Sequence, residues 1–313
     1  MKKYIKIMRL DHWIKQLFII PGCVAAMVLT NQSFSEELSI RFILGFVATC
    51  LIASSNYVIN EWLDAESDQY HPTKKYRVAV TEGINAKAVW WIWGILTLAG
   101  FTISIFVNRA FLAMSVWLWI MGIIYNVKPI RSKDIPVLDV LSESVNNAIR
   151  LLMGWFIVSS VTIPPSTLML GYWMTGAFLM AAKRFAEYRM INNKELAAKY
   201  RKSFQHYSER SLLITTFFYA ICSIFFLGVF LIKYRIELVL IILPLIGLYC
   251  YYLNLAFSSD SAVQKPEKLF REKGLMLYCL VLIITFAILM TVDIPSLAVL
   301  TDSELLSVPD WIR

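Results

Sequence analysis

The chain has 313 residues, of which 58% are hydrophobic, and a mean hydropathy of +0.61. So apolar a composition excludes a water-soluble globular protein and specifies an integral membrane protein. The formal net charge of +8 follows from membrane topology, so no nucleic-acid partner is needed to explain it. Five cysteines without a CxxC pair give no disulfide framework and read as buried free thiols.

Stretches apolar and long enough to cross a bilayer fall at 14–31, 41–59, 88–107, 110–125, 136–158, 166–182, 212–232, 236–257 and 274–293. They predict an all-α protein of about nine membrane helices, forming a single polytopic domain over 1–313. The link at 108–109 is the least defined. The first stretch continues past Lys15 without a small-residue cleavage site and reads as a retained helix, not a signal peptide. The connections alternate in character. Those at 32–40, 108–109, 159–165 and 233–235 are short, whereas 64–87, 126–135, 183–211 and 258–273 are long and charged.

Most of the 30 Lys and Arg lie in the N-terminal tail and the long loops. Arg41, Arg109, Lys233, Arg235 and Arg313 are on the opposite side, and Arg150 is inside a span. The positive-inside rule then places the N-terminus and the long loops in the cytoplasm and the C-terminus outside. A multi-pass protein of the cell (inner or plasma) membrane is expected, with anionic lipids and phosphorylated substrates as partners.

Chemistry-bearing residues follow in chain order. In Arg9-Leu-Asp11-His12-Trp13-Ile-Lys15-Gln16, Lys15 either snorkels to headgroups or points inward to a phosphate, and Trp13 reads as an interfacial anchor. The run Asn60-Glu61-Trp62-Leu63-Asp64-Ala65-Glu66-Ser67-Asp68 ends the second span. At helical spacing Asn60, Glu61, Asp64 and Asp68 fall within an arc of about 100°. Carboxylates so placed repel one another unless a cation is present, and hard oxygen ligands on one face suit Mg²⁺ shared with substrate phosphates. Glu66 lies on the other face and reads as solvated. The following His71-Pro72-Thr73-Lys74-Lys75-Tyr76-Arg77 supplies phosphate-binding cations, with His71 beside them.

A second polar stripe joins Asp139, Glu143, Asn146 and Arg150 within about 40° of a helix otherwise rich in Val, Leu and Ile. Ionisable groups at membrane depth face a bundle interior or wet cavity. Two readings stay open: an internal Glu143–Arg150 pair, or a second metal or diphosphate station led by Asp139. Lys128, Arg131 and Lys133 precede it, a weak echo of the first station. The sixth span ends in Lys183-Arg184-Phe-Ala-Glu187, where topology, an i,i+4 Lys183–Glu187 pair and phosphate binding are all compatible. The run Lys199-Tyr-Arg201-Lys202 reads as a solvated, lipid-facing loop.

Together these residues resemble the UbiA superfamily of intramembrane prenyltransferases. That family's Asn-Asp-x-x-Asp-x-x-x-Asp motif is matched by Asn60-Glu61-x-x-Asp64-x-x-x-Asp68, with Glu61 in place of the commoner Asp. Within it, the chain is most similar to the decaprenyl-phosphate phosphoribosyltransferases (decaprenylphosphoryl-5-phosphoribose synthases). The similarity lies in Trp13-Ile-Lys15, the His71–Arg77 run, Ile135-Pro136-Val137-Leu138-Asp139-Val140 with Arg150, and Lys183-Arg184-x-x-Glu187. It covers roughly 9–190. Gln16 and Val78 depart from the commoner Asn and Pro.

The resemblance implies a bundle around a central cavity open to the cytoplasm. It also implies transfer of 5-phosphoribose from phosphoribosyl diphosphate (PRPP) to a polyprenyl phosphate. Mg²⁺ on Asn60, Asp64 and Asp68, assisted by Glu61 or Asp139, would neutralise the departing diphosphate. Lys15, Lys74, Arg77 and Lys133, with Glu143, Arg150, Lys183 and Arg184, complete the expected substrate contacts. One alternative is a prenyltransferase moving a prenyl group from its diphosphate to an aromatic or other acceptor. A remoter one is an ion transporter using Asp139, Glu143 and Arg150. Homo-oligomerisation is left open.

Overall fold

The computed structural model describes residues 2–258, 261–264, 269 and 271–300. Arg313 and part of the 258–273 loop lie outside the described residues. The long helices are α1 (Lys2–Leu29), α2 (Glu36–Asp68), α3 (Ala86–Val107), α4 (Arg109–Asn126), α5 (Leu138–Val158), α6 (Ser166–Ile191), α7 (Glu209–Tyr234), α8 (Ile236–Ala256) and α9 (Lys273–Leu289). Six of them, α1 to α4, α7 and α8, are long and apolar enough to cross a membrane. The expected count of nine crossings is therefore met by six on length and composition. α5 and α6 are long enough but more polar, and α9 is a shorter apolar helix of 17 residues.

Local chemistry sets the ends of these helices. Asn108 terminates α3 and caps α4, its side-chain oxygen accepting from Phe111 N at 2.8 Å, so the undefined link at 108–109 is a single cap residue. Ser208 and Ser211 form a reciprocal capping box at the start of α7. In α1, Arg9 adopts a left-handed conformation (φ 52°), and Leu10–Ile19 winds as a 3-10 helix before the α-helical part. This break turns the Arg9–Gln16 face toward the bundle. Trp13 Nε1 donates to Ser54 Oγ at 2.9 Å, so that indole ties α1 to α2.

Two glycines let α1 and α5 touch backbone to backbone. A Cβ at Gly22 would stand 2.0 Å from the Leu151 carbonyl oxygen, and one at Gly154 would stand 1.9 Å from that of Ile19. Small residues at such crossings are the usual means of close helix approach in lipid. The contact brings Arg150 Nε to 2.8 Å from Gln16 Oε1. One apolar core lies among α1, α2, α4 and α5, and a second among α6, α7 and α8. Of the cysteines, all free, Cys23 and Cys50 are buried while Cys250 is exposed on the outer surface of α8, correcting the uniform burial expected.

Candidate active site

α2 runs beyond its apolar part to Asp68, so its last turns project Asn60, Asp64 and Asp68 onto the wall of a cavity of about 1060 Å³. The lining of that cavity also includes Glu143, Asn146 and Arg150 of α5, with Lys183 and Arg184 of α6. Lys15, Lys74, Arg77 and Lys133 line it too. An apolar part is built by side chains that include Ile14, Phe18, Leu179, Met180 and Met276.

The wall at Asp64 is already neutralised by the protein. Asp64 Oδ1 accepts from Lys133 Nζ at 2.5 Å and from Arg131 Nη2 at 3.0 Å, and Asp68 Oδ2 accepts from Arg77 Nη1 at 2.6 Å. Asn60 Nδ2 donates to Asn126 Oδ1 at 2.5 Å, and Lys133 Nζ reaches the same oxygen at 2.8 Å. The carboxylate repulsion expected of this run is thus relieved by cations from other loops. Burial pushes the Lys133 ammonium down to about 8 despite the neighbouring Asp64 carboxylate.

Among the described residues no group of three or more His, Cys, Asp or Glu side chains could hold a metal ion. What the wall offers is two carboxylates and an amide. That set is too small for an all-protein cage and is sufficient for Mg²⁺, which completes its shell with phosphate oxygens and water.

Two of the expected ligands are not brought to the cavity. Glu61, at the edge of the predicted arc, is 5% exposed and turns toward Arg9, Arg77 and the backbone of Ala79. The short helix Val78–Thr81 packs over that side of α2, and tertiary packing overrides helical spacing there. Asp139 is fully buried. Its oxygens accept from Tyr207 OH at 2.8 Å and Ser203 Oγ at 3.0 Å, and Arg184 Nε lies 3.6 Å away. The segment after α6 covers the first turn of α5, so the stripe reaches the cavity from Glu143 onward.

Other pairings also differ from expectation. Among the described residues Glu143 and Arg150 form no ion pair within 4.0 Å; Arg150 instead bonds Gln16 and, at 3.4 Å, Asn147. Glu187 pairs not with Lys183 but with Arg184 Nη1 at 2.9 Å and Lys74 Nζ at 2.8 Å. Lys15 turns inward, 2.9 Å from His12 Nδ1. His71 is buried outside the cavity lining, and its Nδ1 accepts from the amides of Thr73 and Lys74, each at 3.2 Å. Burial and the charge of Lys74 hold its pKa down to about 3, which keeps that nitrogen an acceptor.

Sequence reasoning missed a whole basic segment. Lys199, Tyr200, Arg201 and Lys202 line the cavity, where a solvated, lipid-facing loop was expected. Arg131, noted only as part of an echo, is bound to Asp64. No local signal distinguishes such residues from an ordinary basic loop. The aromatic Tyr200 among them, buried at 5% exposure, is the nearest thing to one.

Residues 18–281 match the UbiA prenyltransferase family. Decaprenyl-phosphate phosphoribosyltransferase of Mycolicibacterium smegmatis is 30% identical over 212 residues, 66% of this chain and 63% of that protein. The match thus spans just under two thirds of that relative's length. Protoheme IX farnesyltransferase of a Geobacillus species is 30% identical over 172 residues, 54% of this chain and 55% of that protein. A UbiA homologue from Archaeoglobus fulgidus, solved bound to GPP and Mg²⁺, superposes with a TM-score of 0.67 at 18% identity, covering 92% of this chain and all of the other. That likeness establishes the all-helical fold. With its family match, its apolar helices and its charged cavity, this multi-pass membrane protein belongs to the UbiA prenyltransferase family.

Proposed function

We propose that the protein transfers 5-phosphoribose from phosphoribosyl diphosphate to a polyprenyl phosphate, releasing diphosphate, with Mg²⁺ as cofactor. The reaction takes place at the cytoplasmic face of the cell membrane, within one domain whose nine long helices all cross the bilayer. The observation that carries this reading is the charge of the cavity. Among the described residues, thirteen Lys and Arg side chains line it against five Asp and Glu. A prenyl diphosphate and a neutral acceptor bring one diphosphate. Phosphoribosyl diphosphate and a polyprenyl phosphate bring a diphosphate and two monoesters, which suits so large a cation excess. The similarity to decaprenyl-phosphate phosphoribosyltransferases supports the same donor.

Asp64, Asp68 and Asn60 would hold the metal. When bound, Mg²⁺ neutralises charge on the departing diphosphate. Lys133 and Arg131, which rest on Asp64, are placed to move to diphosphate oxygens, and Arg77 and Lys74 to hold the same group. The acceptor phosphate oxygen attacks C1 of the ribose. The C1–O bond to diphosphate breaks, and its electron pair leaves with the diphosphate. The attacking group is already an anion, so no side chain need remove a proton. Position and charge supply the acceleration. The apolar part of the cavity takes the beginning of the polyprenyl chain.

A second reading, prenyl transfer from a prenyl diphosphate, is favoured by that apolar part and by the likeness to a farnesyltransferase. The two separate in one experiment. Purified full-length protein is incubated with Mg²⁺ and labelled phosphoribosyl diphosphate, with and without polyprenyl phosphate. A labelled lipid that forms only with the acceptor and disappears with EDTA is expected. Product formed only when a prenyl diphosphate and an aromatic acceptor replace these substrates would overturn the proposal.

A further inference from the structure

Between α6 and α7 the chain borders the cavity as a strap, with Arg201 standing between the short helix Lys194–Tyr200 and the 3-10 turn Lys202–Gln205. The strap is fastened on both sides of Arg201. After it, Ser203 and Tyr207 donate to the buried Asp139, and the Tyr207 hydroxyl accepts from Val137 N at 2.6 Å. Before it, Tyr200 packs edge-on against His71 with ring centroids 4.5 Å apart, and its hydroxyl meets Lys74 Nζ.

Arg201, held this way, is poorly satisfied. Its Nη1 has two neutral acceptors at long range, Tyr125 OH at 3.3 Å and the Lys133 carbonyl at 3.5 Å. Its Nε is buried and has no hydrogen-bond partner. Among the described residues no carboxylate lies within 4.0 Å of it. Three other guanidiniums of the cavity differ, whereas Arg150, bonded to Gln16 and Asn147, likewise has no carboxylate within 4.0 Å among the described residues. Arg77 has Asp68, Arg131 has Asp64 and Asp134, and Arg184 has Glu187 and Asp139. Arg201 is half-buried, and a guanidinium whose Nε is buried without an acceptor is costly, while its planar fork matches a phosphate.

We propose that Arg201 recognises a phosphomonoester, the 5-phosphate by which phosphoribosyl diphosphate differs from a diphosphate on a hydrocarbon, and that the strap fastened to Asp139 positions it. This rests on the donor proposed above and names the residue that selects it. The diphosphate occupies the wall at Asp64 and Asp68. The sugar then extends toward Tyr125 and the strap, where Arg201 meets its second anionic group. Tyr207, which touches no substrate, is a positioning residue.

The test compares phosphoribosyl diphosphate with ribose 1-diphosphate, which lacks the 5-phosphate, as donors to polyprenyl phosphate. Wild-type protein should favour the phosphorylated donor in kcat/KM by about tenfold to a hundredfold, the range of a charged hydrogen-bonded contact. Arg201→Gln should bring the ratio near one by losing activity on phosphoribosyl diphosphate alone. Arg201→Lys, which keeps the charge and loses the fork, should give an intermediate ratio. Tyr207→Phe should lower the ratio mainly through KM. Equal losses on both donors in Arg201→Gln, or an unchanged ratio in both Arg201 variants, would overturn the proposal while leaving the donor assignment intact. Turnover of prenyl diphosphate with neither ribosyl donor would remove both.

Discussion

Asp64 and Asp139 are each an aspartate near the end of a bundle helix with basic side chains beside it, yet they have become different kinds of group. Asp64, at the end of α2, keeps 13% of its side chain exposed and is held by the termini of Lys133 and Arg131. Asp139, in the first turn of α5, has no exposure and is held by Ser203 and Tyr207, with Arg184 behind them. Long basic side chains at a cavity wall can leave a carboxylate for a phosphate. Hydroxyls on a packed strap cannot leave without unfolding it. The contrast teaches that burial and the stiffness of the partners, not residue type or helical spacing, decide whether an acid is available for chemistry.

The sharpest way to break this contrast is to remove each charge. Asp64→Asn should lower turnover by at least about a hundredfold to a thousandfold and, because the amide oxygen can still accept from Lys133, lower the thermal unfolding midpoint of the detergent-solubilised protein less than loss of Asp139 does. Asp139→Ala should do the reverse. It leaves Arg184 without that partner and costs about 3–5 kcal/mol of stability, read in thermal unfolding, while the Mg²⁺ concentration for half-maximal rate stays at the wild-type value. A shift in that midpoint as large as in Asp68→Asn would return Asp139 to the metal site.

A smaller effect is expected in pH dependence. Burial pushes the Lys74 ammonium down to about 8. It lies against Glu187 and Tyr200, with Arg77, Asp68 and Arg201 nearby. The charged form that binds phosphate is complete below pH 8 and is lost as pH rises through it. Donor affinity should therefore fall in alkaline buffer, and Lys74→Arg should move that fall to higher pH. A KM for donor that is flat across the range would remove Lys74 from the site. Ser203→Ala, at the low end, deletes one hydroxyl from Asp139 and should cost about 1 kcal/mol with Mg²⁺ dependence unchanged.

What the sequence by itself determined is local and periodic. Hydropathy announced the membrane and most helices, because any bilayer span must be long and apolar. Spacing put Asn60, Asp64 and Asp68 on one face of α2, since residues four apart share a face in any α-helix. Motif similarity pointed to the family. What only the tertiary structure decided is which groups cover each face. Lys133 meets Asp64 across 69 positions, Lys74 meets Glu187 across 113, and Ser203 meets Asp139 across 64. Those partners come from loops, whose paths follow no period, so nothing local marks Glu61 as turned aside, Asp139 as sealed, or Arg201 as brought into the cavity. Helical geometry restricts where a side chain can point. Only the packing of distant segments determines what it meets there.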